Sequence, residues 1–173
     1  MTAPNPVITL GPPRAIDRDR VAAIVEGTGV FRPEELAVAL EVFDGAVAQP
    51  GADYFGLCAF EDDVLVGFTL FGPTPCTVAT WDLYWIVVDP TAHRHGIGRQ
   101  LMAATEDAVR SHGCQLLVVE TSSREEYGPT RAFYASLTYD RAAHIPNYYA
   151  PDDDLVVFVK RFDSPVNKTG HYG

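Results

Sequence analysis

Residues 78–121 leave this chain few ways to fold. The run VATWDLYWIVVDP is β-rich and is closed by Pro90, which cannot continue a sheet ladder. HRHGIGRQLM follows, and over residues 98–111 the apolar Leu101, Met102, Ala104, Ala108 and Val109 mark one helical face. His112 and Gly113 supply a basic last turn and a glycine just past the helix end, and QLLVVET is a second buried strand. Strand, helix and strand in this order predict a parallel β-α-β unit.

The remaining segments must extend that unit. Residues 7–13 read as a short strand and a turn. Asp17 as N-cap, the apolar Val21, Ala22, Ile24 and Val25, and a stop at Gly27 predict a first helix. Pro33, Glu34 and Glu35 in a first turn before Leu36, Leu40 and Phe43 predict a second. DYFGLCAFE and VLVGFTLFG, parted by Asp62-Asp63, read as a hairpin that joins residues 78–90 in an antiparallel meander. YGPTRAFYASL gives a shorter helix after Pro129, and TYDRAAHIP and DLVVFVKRF a last strand pair. The order is β-α-α-β-β-β-α-β-α-β-β. It predicts one α/β (α+β) domain over residues 1–173, with a single mixed sheet of about six to seven strands and helices on both faces. The core is expected over residues 6–162 and a loose polar tail over 163–173.

Composition narrows the function classes. A chain of 173 residues, 47% hydrophobic, suits one core. No run approaches the ~20 apolar residues that span a bilayer, and the N-terminus lacks the pattern of a secretory signal, so a cytoplasmic protein without a membrane partner is expected. Cys58, Cys76 and Cys114 stand singly in apolar segments without C-x-x-C spacing, the pattern of buried free thiols. A net charge of −10 repels nucleic acid and favours cationic small molecules or basic peptides. A polyanionic ligand would need a local positive pocket, and HRHGIGR is the clearest one.

A helix N-terminus exposes unpaired amides at the positive end of the macrodipole, and Gly96 and Gly98 there remove two Cβ atoms. Spacing alone leaves two readings open, a phosphate cradle and a plain strand-to-helix turn. A Walker loop is absent, and Leu101 occupies the third glycine position of a dinucleotide fingerprint. His93-x-His95 lacks further ligands at useful spacing, so no metal is expected.

IVVDPTAHRHGIGRQLMAATEDAVRSHGCQLLVVET, followed by TRAFYASLTYDRAAHIPNYY, resembles the GNAT superfamily of acyl-CoA-dependent N-acyltransferases. The motifs are Q/R-x-x-G-x-G/A after a strand ending in V-D-P, and F-Y-x-x-x-G-F/Y at a helix exit. His93 takes the Gln or Arg position here, and Thr138 the later glycine. The resemblance is strong over residues 81–149. It implies a GNAT-like sheet, acetyl-CoA as co-substrate, and acetyl transfer by direct attack of a primary amine, carried by a small molecule or a peptide N-terminus. It further implies that the amides around His93, Arg94, His95, Gly96, Ile97, Gly98 and Arg99 hold the pyrophosphate. The pantetheine arm would pair with Ile86, Val87 and Val88, which requires that strand and QLLVVET to splay. Tyr134 matches the family's general acid at the coenzyme A sulfur, and Phe133 is expected in the core.

Thioester aminolysis needs a neutral amine, whose unperturbed pKa is about 10.4, and hence a base. The resemblance makes Asp82 and Glu120 both candidates, since family members carry a carboxylate on the first of these strands or near the end of the second, and for Glu120 the alternative is a strand-end residue bonded to the Ser122-Ser123 turn. Strand alternation would place Tyr84, Ile86 and Val88 on the side of Asp82, and an ordinary strand aspartate is the alternative. Trp81, Tyr84, Tyr148 and Tyr149 are candidates for the acceptor pocket, although strand aromatics commonly pack in cores. Asp152, Asp153 and Asp154 could bind a cation or steer a basic substrate, but a solvated turn between two strands is the simpler reading. A non-catalytic acyl-CoA-binding module would also explain the glycine loop, but only an enzyme explains a tyrosine at the sulfur position with carboxylates on the neighbouring strands. Covalent catalysis by Cys114 is less simple than core packing, because Cys114 stands away from the loop. Residues 28–52 and 144–154, which would decide the acceptor, carry no readable motif, and a homodimer through the C-terminal strands would be ordinary.

Overall fold

The computed structural model describes residues 7–163, apart from the side chains of His93, Arg94 and His95. The expected loose tail, beyond Asp163, lies outside the described residues. Seven strands form one sheet in the order β1-β2-β3-β4-β5-β7-β6. They are β1 (Ile8–Gly11), β2 (Phe55–Glu61), β3 (Val64–Pro73), β4 (Thr80–Val88), β5 (Leu116–Ser122), β6 (Asp140–Ala150) and β7 (Asp153–Arg161). Asp62 and Asp63 both adopt positive φ, 49° and 65°, which turns β2 tightly into β3. β4 and β5 pair in parallel, whereas β7 pairs antiparallel with both β5 and β6.

Among the described residues four α-helices cover the sheet: α1 (Arg18–Thr28), α2 (Pro33–Ala48), α3 (Ile97–Ser111) and α4 (Gly128–Ser136). Helices α1 and α2 bury Val21, Ile24, Val25, Val42 and Phe43 with Phe68, Leu70 and Val87 of the sheet. The other face is closed by α3 and α4, through Met102, Val109 and Tyr134 packed with Leu83, Leu117, Val119 and Phe158. On α3, Ile97, Leu101, Met102, Thr105 and Val109 are the buried stripe. Thr105 Oγ1 satisfies its hydroxyl with Thr69 Oγ1 of β3 at 2.8 Å.

Three local expectations are corrected. Helix α1 runs through Gly27 and stops at Gly29, whose φ of 68° is the left-handed conformation that ends a helix. Asp17 stands at the N-cap but makes no capping bond, because Arg14 Nε holds its carboxylate at 2.6 Å. Cys58 and Cys114 are buried, but Cys76 is exposed in the β3–β4 connection with φ 62°. At the corner from α4 into β6, Thr138 adopts φ 64°, so a β-branched residue occupies backbone space that suits glycine.

The register of β4 decides the geometry of the site. Leu83 pairs with Phe71 of β3 and Trp85 with Leu70, so Tyr84 is an extra residue, a β-bulge. A single extra residue reverses the alternation. Trp81 and Leu83 lie in the core beneath α3 and α4, and past the bulge it is Ile86 and Val88 that pack on that side, with Ile97 and Ala92. The expectation that Asp82, Tyr84, Ile86 and Val88 share one face is therefore overturned.

Candidate active site

The ladder between β4 and β5 ends at Leu83↔Val119, although both strands continue. Beyond that point they part, and a cavity opens on each side. One, of about 400 Å³, is walled by Ile86 and Val88 of β4, Gly96, Gly98 and Arg99 at the start of α3, and Pro129, Thr130 and Phe133 of α4. The other, of about 410 Å³, takes Asp82, Tyr84 and Trp85 from β4, Glu120 and its neighbours from β5, and residues from the α1–α2 connection and the β6–β7 hairpin.

The first cavity has the construction of an anion cleft. After β4, Asp89 caps a short 3-10 turn (Pro90–His95), accepting from Thr91 N at 2.8 Å and Thr91 Oγ1 at 2.7 Å. Arg20 of α1 also bonds this carboxylate. Burial alone would raise the pKa of Asp89, but Thr91 and Arg20 outweigh it and hold the group below its ordinary value. It therefore anchors the loop as a carboxylate. Gly96 then takes φ 66° and α3 begins at Ile97, with amides at its N-terminus. A Cβ on Gly98 would stand 3.3 Å from Phe133 Cζ and 3.9 Å from Val88 Cγ2, so the bare backbone there keeps the cleft open. Arg99 is held beside it by Ser136 Oγ at 2.9 Å.

The second cavity is acidic and aromatic. Asp82 accepts from Thr74 Oγ1 at 2.7 Å. Glu120 stands two residues past Val118, the partner of Asp82, so the two carboxylates are diagonal neighbours on one face. Glu120 keeps solvent access at the cavity mouth, and partial desolvation there, then the charge of Asp82, push its pKa up. Burial and Asp82 likewise raise that of Tyr84, to about 12. At the opposite wall Asp153 is buried and takes bonds from Ser122 Oγ and from Arg32 Nη2, the latter at 3.1 Å. Thr121 Oγ1, also in this wall, is a buried side-chain atom without a hydrogen-bond partner.

A sequence profile of the acetyltransferase (GNAT) family matches residues 24–139, more than half of the chain. The chain belongs to that family. Among solved structures, a GNAT-family protein from Desulfovibrio desulfuricans is 36% identical, with a TM-score of 0.86 over 90% of this chain and 99% of that one. The ribosomal-protein-S18-alanine N-acetyltransferase of Escherichia coli, 18% identical, shares the fold with a TM-score of 0.76 over 95% of this chain and 100% of its own. yncA of Salmonella typhimurium, solved with its cofactor acetyl-CoA, is 19% identical, with a TM-score of 0.72 over 90% and 94% of the two chains.

On this GNAT sheet the sequence-predicted residues fall into three groups. Ile86, Val88, Gly96, Gly98 and Arg99 meet in the cleft. Val87 and Ile97 turn their side chains into the core, leaving only backbone to face a ligand, and the side chains of His93, Arg94 and His95 lie outside the described residues. Asp82, Glu120, Tyr84 and Tyr149 meet in the acidic cavity. Two acceptor-pocket candidates do not join them. Trp81 is buried under α3, edge-on to Phe55 and tilted against Phe71 and His112, because it precedes the bulge on the opposite side from Asp82. Tyr148 is 54% exposed and touches Tyr149 edge-on from outside.

Tyr134 packs behind Phe133 against Tyr139 and Phe158, and burial alone raises its phenol pKa well above the ordinary value. Phe133, expected in the core, also walls the cleft. Asp153 and Asp154 are not a solvated turn. Asp153 is buried in the cavity wall, and Asp154 accepts from Asn147 N at 2.8 Å and lies 2.6 Å from His144 Nε2. Phe31, Arg32, Glu35, Arg124 and Tyr127 escaped sequence reading, since four separate stretches of chain bring the cavity together and no local pattern marks them. Among the described residues no three His, Cys, Asp or Glu side chains are grouped to hold a metal ion, and no helix is long and apolar enough to cross a membrane.

Proposed function

We propose that the chain is an acetyl-CoA-dependent N-acetyltransferase acting on a primary amine by direct attack on the thioester. The observation that carries the reading is the parting of β4 from β5 at Leu83, with Trp85 in the wall of the acidic cavity and Ile86 in that of the anion cleft. Adjacent residues of one strand thus serve two ligands. The acetyl-CoA held by yncA on the same fold supports the assignment of the cleft.

The cleft suits coenzyme A on its own terms. Its positive end, at Gly96, Gly98 and Arg99, would take the pyrophosphate through helix N-terminal amides and one guanidinium, and the apolar Ile86, Val88 and Phe133 would line the pantetheine arm. Bound acetyl-CoA supplies an activated acyl carbonyl. Glu120, with its pKa raised above the ordinary glutamate value and its side chain facing the cavity, accepts the proton of the acceptor amine. Desolvation first, and then the neighbouring Asp82, which is tied to Thr74, hold Glu120 at that poise. Burial keeps the proton on Tyr134, which lines neither cavity but stands directly behind Phe133 of the cleft wall, and the family resemblance gives it the role of donor to the departing sulfur.

Calorimetric titration with acetyl-CoA, coenzyme A and ADP, followed by a free-thiol assay with a panel of amines, tests the reading. Saturable acetyl-CoA binding with amine-dependent thiol release is expected. Binding without turnover on any amine would favour a non-catalytic acyl-CoA module, and the absence of binding would reduce HRHGIGR to a turn.

A further inference from the structure

Granting the transferase reading, on which the inference rests, we propose that the acceptor is a net-cationic amine on an apolar or aromatic stem, with no carboxylate beside the amine. The charges of the cavity wall carry this. Four carboxylates line it, Glu35, Asp82, Glu120 and Asp153, against two guanidiniums, Arg32 and Arg124.

Both guanidiniums are already committed to Asp153, Arg32 Nη2 at 3.1 Å and Arg124 Nε at 3.5 Å. Arg124 is further occupied by the Val30 carbonyl at 3.2 Å and by the face of Tyr127 at 5.2 Å. The cationic charge of the wall is thus gathered around the one carboxylate that is itself buried. The other three have no ion-pair partner among the described residues. Glu35 Oε2 accepts from Arg32 N at 2.7 Å, Asp82 accepts from a threonine hydroxyl, and Glu120 faces the cavity.

A surplus of two negative charges in a walled cavity calls for a cation from outside. The same field acts on two phenols on the wall. Burial raises the pKa of both Tyr127 and Tyr149, and the charges of Glu35 and Asp153 add to the rise in each.

The apolar part of the guest follows from the rings. Phe31 and Tyr127 meet edge to face at 6.3 Å across the rim, and Tyr84, Trp85 and Tyr149 complete an aromatic wall. Such faces bind an alkyl or aryl stem and attract the cation it bears. A cavity of about 410 Å³ holds a guest the size of a long side chain. An α-amino acid brings a second charge of the wrong sign into a wall that is net negative by two, and although Arg32 and Arg124 outweigh Asp153 by one charge locally, Glu35, Asp82 and Glu120 outweigh that remainder, so it is selected against.

The test is calorimetric titration of the coenzyme A-saturated protein with 2-phenylethylamine and with phenylalanine, which share ring and amine and differ by the carboxylate. Phenylethylamine is expected to bind tighter by about tenfold or more. In Glu35→Gln, which keeps the helix-capping acceptor but removes one charge, that preference should narrow. Phenylalanine binding as tightly as phenylethylamine, failure of both amines to bind, or a preference unchanged in Glu35→Gln would overturn the acceptor class while leaving the cofactor reading intact. Failure to bind coenzyme A would instead overturn the transferase reading.

Discussion

Replacing Gly98 by alanine should separate ligand binding from stability. Gly98 is the second residue of α3, and alanine there gains about 0.5–1 kcal/mol of helix stability over glycine. Against this stands the contact of the new Cβ with Phe133 Cζ at 3.3 Å. That atom is the edge of a half-buried ring and can give by a few tenths of an ångström. The two effects are of similar size and opposite sign, so the melting temperature should move by less than about 4 °C.

The ligand has no such compensation. The methyl group enters the cleft beside the first amides of α3, where a phosphate oxygen must come to about 2.9 Å of an amide nitrogen. The motif admits alanine at this position, so Gly98→Ala should weaken binding by less than about tenfold, whereas the branched side chain of Gly98→Val, costing one charge-assisted hydrogen bond of about 1.5–3 kcal/mol, should weaken it by roughly 10- to 100-fold. Thermal unfolding by circular dichroism and titration calorimetry with coenzyme A read the two quantities separately. Wild-type affinity in Gly98→Val would refute the placement of the pyrophosphate. A fall in stability of several kcal/mol in Gly98→Ala would refute the argument that Phe133 yields.

Four further outcomes are expected. Tyr134→Phe should lower turnover at saturating acetyl-CoA by about 10²-fold with little change in coenzyme A affinity, whereas equal turnover would make Tyr134 a packing residue only. The pH profile of kcat/KM should rise through a pKa above the ordinary glutamate value, because Glu120 must lose its proton to act as base and partial desolvation with Asp82 holds that proton on. Asp82→Asn should move this limb to lower pH and Glu120→Gln should abolish it. Thr138→Gly should raise stability by up to about 1 kcal/mol in chemical denaturation, since relief of the positive φ outweighs the added freedom of the unfolded chain. In native protein a maleimide should label the exposed Cys76 alone, because burial pushes the Cys58 and Cys114 thiols up to about 12 and about 11 and shields them; all three should react after unfolding.

Local physics made much of this protein legible before any fold was known. Periodicity marked α3 and its buried stripe, Pro90 and Gly113 bounded the strand and helix, and Gly96 and Gly98 announced a backbone that needs left-handed φ or close approach. These signals lie within a few residues of one another and depend on dihedral preference and side-chain spacing alone. What the sequence did not reveal is non-local. The extra residue at Tyr84 exists only in the pairing of β4 with β3, and it puts Trp81 in the core and Ile86 in the cleft. Likewise, Asp153 reads as one of three acidic turn residues until β7 inserts beside β5 and folding brings Ser122, Arg32 and Arg124 to it. Dihedral preference is a property of a few neighbouring residues, whereas register and charge pairing arise between segments up to 121 residues apart, which only the folded sheet brings together.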